Sequence, residues 1–380
     1  MKLLNIEQLS YWERTTYFEG IDYIIIGAGI VGFSTAIELK KKYPSAKIVL
    51  LERGYLPAGA STKNAGFACF GSVTELVDDL SKMGEDSVFE TVGKRWEGLQ
   101  NLKSVIGQNY LQLETFGSWD LISQNETVEL PFLREKIDYL NEKIIGITGE
   151  KSVFSEDNSC GSIFGFNGVH TSFFNRLEGQ IDTGKMLARF HQIAVESGVF
   201  CLFNISVETI ASDSKKVELG TSIGKISAEH ALICTNGFAK QFLPDEDVFP
   251  ARAQVIVTSP IENLPVKGTF HFQQGYYYFR NIENRILLGG GRNLNFEGET
   301  TTELATTAEI THALKQMLSE MILPNLAFSI DYSWAGIMGV GATKAPIVKK
   351  IDSRTAVGVR MGGMGIAIGS LVGKELADLF

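Results

Sequence analysis

Apolar residues occur along this chain in two spacings, short unbroken runs and three- and four-residue repeats, and the change from one to the other sets out its elements. Residues 23–26 and 47–51 are short apolar runs, the composition of strands buried on both faces. Residues 30–43 between them, and 78–107 and 133–145 further on, space their apolar positions as helices do. The segment 182–198, DTGKMLARFHQIAVESG, predicts another helix, capped by Asp182 or Thr183 and ended by Gly198. A strand is expected over 200–210, a hairpin around 220–224, and a strand over 228–234 running into Thr235-Asn236-Gly237. Residues 252–258 and 276–289 have strand composition, and 302–322 is helical in pattern. The chain closes with a strand at 356–359, a glycine turn at 362–365 and a helix at 366–379.

The first strand, turn and helix carry chemistry. In IDYIIIGAGIVG (21–32), Gly27 allows a tight turn, Gly29 lets the backbone approach a phosphate, and Gly32 lets helix and strand pack closely. Ile30 and Val31 open the helix, whose free N–H groups and positive dipole end face such a phosphate. Glu52 follows Gly32 by 20 residues, at the end of the second strand, where a carboxylate accepts bonds from ribose hydroxyls. Strand, turn, helix and acid at this spacing predict a dinucleotide site.

Composition narrows the class. The 380 residues are long for one core, so two domains are expected. A net charge of −9 without a basic stripe argues against a nucleic-acid partner. Cys69, Cys160, Cys201 and Cys234 are scattered, with no CxxC, and with five separated histidines they suggest no metal site and a cytoplasmic setting for reduced thiols. Residues 1–20 carry acids and aromatics instead of the apolar core of a signal peptide, and no run is long enough to span a membrane.

Two further glycine-rich stretches need an account. Arg360-Met361-Gly362-Gly363-Met364-Gly365 opens the last helix, so its N–H groups face a site where developing negative charge is stabilised. By itself the motif reads equally as a plain turn packing that helix onto the sheet. GASTKNAGFACFG (59–71) has the small residues and hydroxyls of a backbone hugging a flat ligand. A surface loop is the alternative, but Phe67, Ala68 and Phe70 argue against full exposure.

Together these stretches resemble the D-amino-acid-oxidase-type flavoprotein superfamily, which includes glycine oxidase and sarcosine oxidase. The closest resemblance within it is to the gamma-glutamylputrescine oxidase-like amine oxidases. The matching residues are Ser10-Tyr11-Trp12-Glu13, GAGIVG, Glu52-Arg53, GASTKNAG, Thr235-Asn236-Gly237, Arg252-Ala253-Gln254, GYYYFR (275–280), RILLGGGR (285–292), Trp334-Ala335-Gly336 and GGMG (362–365). The resemblance implies FAD, bound non-covalently because 333–350 holds no Cys or His for attachment. It implies that Gly27, Gly29, Ile30, Val31 and Gly32 face the pyrophosphate and that Glu52 and Arg53 lie at the adenosine. Ser61, Thr62, Asn64, Ala65 and Gly66 would line the ribityl chain and ring. Val207 would touch the adenine, Thr235 would close the ribose side, and Gly363, Met364, Gly365 and Ile366 would meet the pyrimidine edge. It also implies doubt about oxygen as acceptor, because Leu287 stands where sarcosine-oxidase-like members carry an oxygen-activating lysine. Oxygen, a quinone and a carrier protein all stay open.

On the substrate side, strand alternation puts Tyr276 and Tyr278 on one face and Tyr277 and Phe279 on the other. Tyr276, Tyr278, Trp334 and Met338 are the candidate walls for an amine, by packing, hydrogen bonding or cation–π attraction. Arg252, Arg280 and Arg292 are candidate anchors for an acidic group, each also readable as a structural arginine, and Arg360 is a further one. The resemblance puts the carboxylate-clamping arginine of glycine-oxidase-like members at Met338 and the corresponding lysine of sarcosine-oxidase-like members at Ala367, so an amine is expected over a simple α-amino acid.

The expected fold is α/β: a Rossmann-like FAD-binding domain from 1–105, 172–250 and 333–380, with a mixed-sheet substrate domain from 106–171 and 251–332. The expected reaction is hydride transfer from the carbon beside a neutral amine to flavin, giving an imine that hydrolyses. A flavin-dependent 2-hydroxyacid dehydrogenase, which needs a base for the hydroxyl proton, and a non-catalytic nucleotide-binding protein are the alternatives.

Overall fold

The computed structural model describes residues 5–127 and 129–380, so the first four positions of the 1–20 segment lie outside the described residues. Two large sheets organise it. The first runs, from one edge, Ile347–Lys350, Thr355–Val359, Gly224–Ile233, Ile21–Ile26, Ile48–Leu51 and Phe200–Leu202. Its pairings are parallel from Thr355–Val359 to Phe200–Leu202. The apolar runs therefore sit where helices and loops cover both faces, and Ile24, Ile25, Val49 and Leu50 are fully buried.

Close helix packing fixes the site end of this sheet. The helices Ile30–Lys42 and Gly365–Asp378 cross where Gly369 and Gly373 lack side chains: a Cβ at Gly373 would collide with the Ser34 Cβ. Thr35 donates to the Gly373 carbonyl at 3.1 Å, and Ser370 to the Gly98 carbonyl of the helix Glu85–Ile106 at 2.8 Å. The two helix N-termini, at Gly29 and Met364, neither capped by the side chain of its own N-cap residue, consequently open toward the same space.

The second sheet runs Ile330–Val340, Phe249–Thr258, Arg285–Gly290, Tyr277–Ile282, Thr269–Phe272, Ser118–Ser123, Val169–Asn175 and Phe154–Asp157. One face packs Phe270, Tyr277, Phe279 and Leu288 against Ile310 and Leu314 of the helix Ala308–Met317. The other meets the 59–71 stretch through Val255, Val257 and Leu287, which contact Ala65. Residues 172–175 and 333–340, grouped by sequence with the nucleotide-binding unit, pair in this second sheet, because Val169–Asn175 and Ile330–Val340 are continuous strands whose partners lie there.

Several element boundaries shift for local reasons. The 78–107 helix is two helices, Val73–Lys82 and Glu85–Ile106, the first begun by a Ser72 cap on the Glu75 N–H. The 200–210 strand breaks at Asn204, whose left-handed backbone (φ 60°) lets Ile205 N–H reach the Glu52 carbonyl at 3.0 Å. Residues 276–289 form a hairpin, and 302–322 becomes helical only at Ala308, behind a Thr307 cap.

Candidate active site

One continuous cavity of about 1820 Å³ runs between the sheets. It begins at Val207 and Arg53, passes the first glycine turn, and ends at the second sheet beneath Met338, Tyr278 and Tyr276. Gly27, Gly29, Ile30, Val31, Glu52, Arg53, Ser61, Asn64, Ala65, Gly66, Val207, Thr235, Gly363, Met364, Gly365 and Ile366 all border it. Residues from six separate stretches thus meet at one cavity.

Each glycine of the first turn has a distinct reason. Gly27 has φ 107°, and a Cβ there would meet the Cys234 carbonyl oxygen at 2.9 Å. At Gly32 a Cβ would run into the Gly27 oxygen, so Gly32 serves helix-to-turn packing and does not border the cavity. At Gly29 a side chain would point at the Ser61 hydroxyl, 3.0 Å away, across the mouth of the helix terminus. Ser61 accepts the Ile30 N–H at 3.0 Å. The Glu52 carboxylate accepts from Ala28 N–H at 3.0 Å and Gly54 N–H at 2.9 Å, which locks the turn to the loop after the second strand. Arg53 lays its guanidinium 3.8 Å from the Phe238 ring centroid.

The 59–66 loop is held by its own polar side chains. Asn64 donates to the Ala60 and Ser61 carbonyls and accepts the Gly66 N–H at 2.7 Å. Thr62 donates to the Pro57 and Gly59 carbonyls and turns away from the cavity, which corrects its expected place along the ligand. At the far end, Arg360, Gly362 and Gly363 adopt left-handed backbones (φ 68°, 57° and 86°). Asn236 fixes them by accepting the Arg360 and Met361 N–H groups at 3.1 and 3.3 Å. That link was not read from sequence, although Asn236 stood in the Thr235-Asn236-Gly237 motif.

The substrate end is walled by rings. A row crosses the second sheet in register: Trp334, Val255, Gly289, Tyr278, His271 and Asp120. Gly289 has no side chain because the Tyr278 ring fills that space, its hydroxyl oxygen 2.7 Å from where a Cβ would be. His271 stacks on Phe67 with centroids 5.2 Å apart, and Phe67 meets Tyr278 edge-on. Burial pushes the His271 imidazole down to about 4 and the Tyr278 phenol up to about 12, so both are neutral at pH 7. Tyr277 and Phe279 lie in the opposite core as alternation predicted, while Tyr276, just ahead of the strand, stands at the cavity rim. His271 and Phe67 are the site residues that sequence reading missed. Pairing with Tyr278 across two strands is what brings His271 there.

Two substrate candidates are displaced. Trp334 does not border the cavity. Gly336, next on its face, lies against Lys63, and a Cβ there would sit 2.9 Å from the Lys63 Cβ, so the 59–66 loop crosses between Trp334 and Met338. Trp334 packs beside Ala65 and Val255 instead. Arg360 is turned outward onto Asp247, at 2.6 Å, with further bonds to the Ala345 carbonyl and Thr343. Its left-handed backbone directs the side chain away from the site. Near the rim, burial alone would raise the Glu75 carboxyl, but Arg95 at 3.2 Å and Lys344 at 2.8 Å outweigh it and hold Glu75 at about 2. Lys344 also pairs with Asp79, tying the helix Val73–Lys82 to the 341–346 segment.

The residues present fit an extended flavin dinucleotide. The Gly29 cradle would be filled by any Cβ, and the Thr235 hydroxyl is buried with no partner among the described residues. Residues 22–379 match the family model described as FAD dependent oxidoreductase. A protein of Haemophilus influenzae named "Probable oxidoreductase OrdL" is 23% identical, covering 96% of this chain and 83% of its own length. The L-proline dehydrogenase of P. horikoshii shares the fold with a TM-score of 0.74 and 18% identity, over 95% of this chain and 93% of that one. The glycine oxidase of Geobacillus kaustophilus gives 0.73 and 19%, over 94% of each chain. None of the described helices is long and apolar enough to cross a membrane.

Proposed function

Because the chain belongs to the FAD-dependent oxidoreductase family, we propose that it oxidises the C–N bond of an amine or N-substituted amine to an imine, which water then hydrolyses. When bound, FAD accepts the hydride and its electron pair. The chain's own residues bind, orient and exclude water. Beyond the Ile30 N–H that Ser61 holds, the helix termini at Gly29 and Met364 would offer backbone N–H groups to the phosphates and to the ring edge. Phe67, His271 and Tyr278 form a wall of neutral rings against which the reacting carbon is held in a dry pocket.

The observation that carries the reading is that wall together with Met338, whose sulfur lies 3.5 Å from the Cβ position of Gly363. A thioether and rings accept an alkyl amine, whereas an unpaired carboxylate desolvated there costs several kcal/mol. Ala367, the other anchor position, also borders the cavity and brings no charge. Support of a second kind comes from the similar structures, named for enzymes of proline and glycine, both of which carry a C–N bond. The test is anaerobic bleaching of the flavin by polyamines, N-methyl amines, D- and L-amino acids and glycine. Faster bleaching by small α-amino acids than by amines overturns the preference.

One observation favours a second reading. His271 faces the cavity with an imidazole unprotonated at pH 7, in the place of the base that a 2-hydroxyacid dehydrogenase requires, although burial that holds its pKa at about 4 makes it a weak proton acceptor. If 2-hydroxyacids bleach the flavin, amines do not, and His271→Asn abolishes the bleaching, that reading replaces the first. Non-covalent flavin belongs to the proposal too. Cys69 borders the cavity, but its thiol has Thr269 and the Gly179 carbonyl as neighbours and burial raises it well above its ordinary value. Acid precipitation should leave the yellow colour in the supernatant. A cytoplasmic setting is supported by four cysteines that form no disulfide with one another.

A further inference from the structure

The glycine turn that opens the last helix keeps its shape against backbone preference. Arg360, Gly362 and Gly363 are all left-handed, and at Arg360, which carries a Cβ, that conformation is strained. Such strain persists only where the surroundings over-determine it. The Arg360 side chain is tied outward to Asp247, Ala345 and Thr343. On the backbone side, the Asn236 amide oxygen accepts the Arg360 and Met361 N–H groups at 3.1 and 3.3 Å, and the Gly339 carbonyl accepts the Gly362 N–H at 3.0 Å.

The surroundings of Asn236 are shaped to that contact. It is itself left-handed (φ 46°), a conformation that Asn tolerates better than most residues. Gly339 lacks a side chain at the point where a Cβ would stand 2.6 Å from the Asn236 oxygen. Gly237 lacks one where a Cβ would run into the Met338 carbonyl. Asn236 borders the cavity together with Met338 and Gly363. The segment leaving the first sheet, the strand that carries Met338 and the glycine turn therefore meet at one amide.

A helix N-terminus that faces a flavin ring matters most when the ring holds extra electrons. The backbone N–H groups and the positive helix end stabilise negative charge, and the reduced ring carries more of it than the oxidised ring. A group that fixes where those N–H groups point consequently acts on the reduced state more than on the oxidised one.

We propose that Asn236 is a positioning residue that raises the reduction potential of the bound flavin. By holding residues 360–363 it aims the N-terminus of the helix Gly365–Asp378 at the pyrimidine edge of the ring. This rests on the ring lying against the glycine turn and is independent of which substrate is oxidised.

Two substitutions attack the same contact from opposite sides. Asn236→Gly removes the oxygen and leaves a residue at ease in the left-handed region. Gly339→Ala leaves Asn236 in the chain and pushes its oxygen off the turn. The midpoint potential of each holoenzyme is measured by dithionite reduction against a reference dye at pH 7, a titration that involves no substrate. Each substitution should lower the ratio of reduced to oxidised flavin at a fixed ambient potential about 10-fold, within reach of a helix terminus acting on a charge. That is roughly 30 mV for a two-electron couple. By linkage, reduced FAD should lose about 10-fold more affinity than oxidised FAD. The double variant should lose no more than either single one, because both changes break one contact. A merely structural role would lower Tm and weaken both redox forms equally, with the potential unchanged. The proposal is overturned if flavin-loaded Asn236→Gly keeps the wild-type potential, or if the two substitutions add. If Asn236→Gly holds no flavin, Gly339→Ala decides by the same measurement. If neither retains it, the affinities of the two apoproteins for added reduced and oxidised FAD decide, and equal losses overturn it.

Discussion

Glu178 is a carboxyl sealed inside the protein beneath the 59–71 stretch. One oxygen accepts the Phe70 and Gly71 N–H groups at 2.7 and 2.9 Å, and the other is buried without a partner among the described residues. Burial raises its pKa to about 7 despite those bonds. An unfolded glutamate titrates at about 4.3. Below that value both states hold the proton and Glu178 costs nothing. As pH rises from there to 7 the unfolded chain releases its proton while the folded one keeps it, so stability falls by about 1.4 kcal/mol per pH unit. Above 7 the contribution is flat. Glu178→Gln keeps an oxygen for both N–H groups and removes the titration. The variant should therefore gain about 3 kcal/mol on the wild type between pH 5 and pH 8, most of it below pH 7. Urea unfolding of the FAD-loaded protein at pH 5, 6, 7 and 8, followed by tryptophan fluorescence, measures this. A difference that stays constant across the range would refute a buried, proton-holding Glu178.

Gly29→Val should leave the protein without stoichiometric flavin, because the side chain would enter the space between the helix terminus and Ser61; the ratio of flavin to protein absorbance in the purified variant reads this out. Glu52→Ala should weaken FAD binding by about 1–3 kcal/mol, since both the ribose acceptor and the brace between Ala28 and Gly54 are lost, and fluorescence titration of the apoprotein checks it. Arg360→Ala should lower stability by about 1–3 kcal/mol and slow amines and α-amino acids by the same factor, as expected of a residue paired with Asp247; a selective loss with α-amino acids would return it to the substrate site. Leu287 is 2% exposed against Val257 and Ala65, and with no lysine there, reoxidation by an artificial acceptor should outpace reoxidation by air-saturated buffer.

The amino-acid sequence alone determined the nucleotide half of this molecule. Buried strands, the glycines at 27, 29 and 32, the helix after them and Glu52 interact over short spans, so their spacing encodes their geometry. Helix caps at Asp182, Ser72 and Thr307 are local in the same sense, although only the first was recognised, since the other two fall where the helical pattern misplaced the helix start. The face of Tyr278 followed from strand alternation alone. What tertiary structure decided was which polar groups are free. Arg252 meets Glu299 across 47 residues and Arg360 meets Asp247 across 113, and nothing in their neighbourhoods distinguishes them from Arg292, which borders the cavity. His271 reaches the cavity only through its register with Tyr278. Trp334 is cut off from it because the 59–66 loop crosses at Gly336 against Lys63, a contact between distant parts of the chain that only the packing of the two sheets creates.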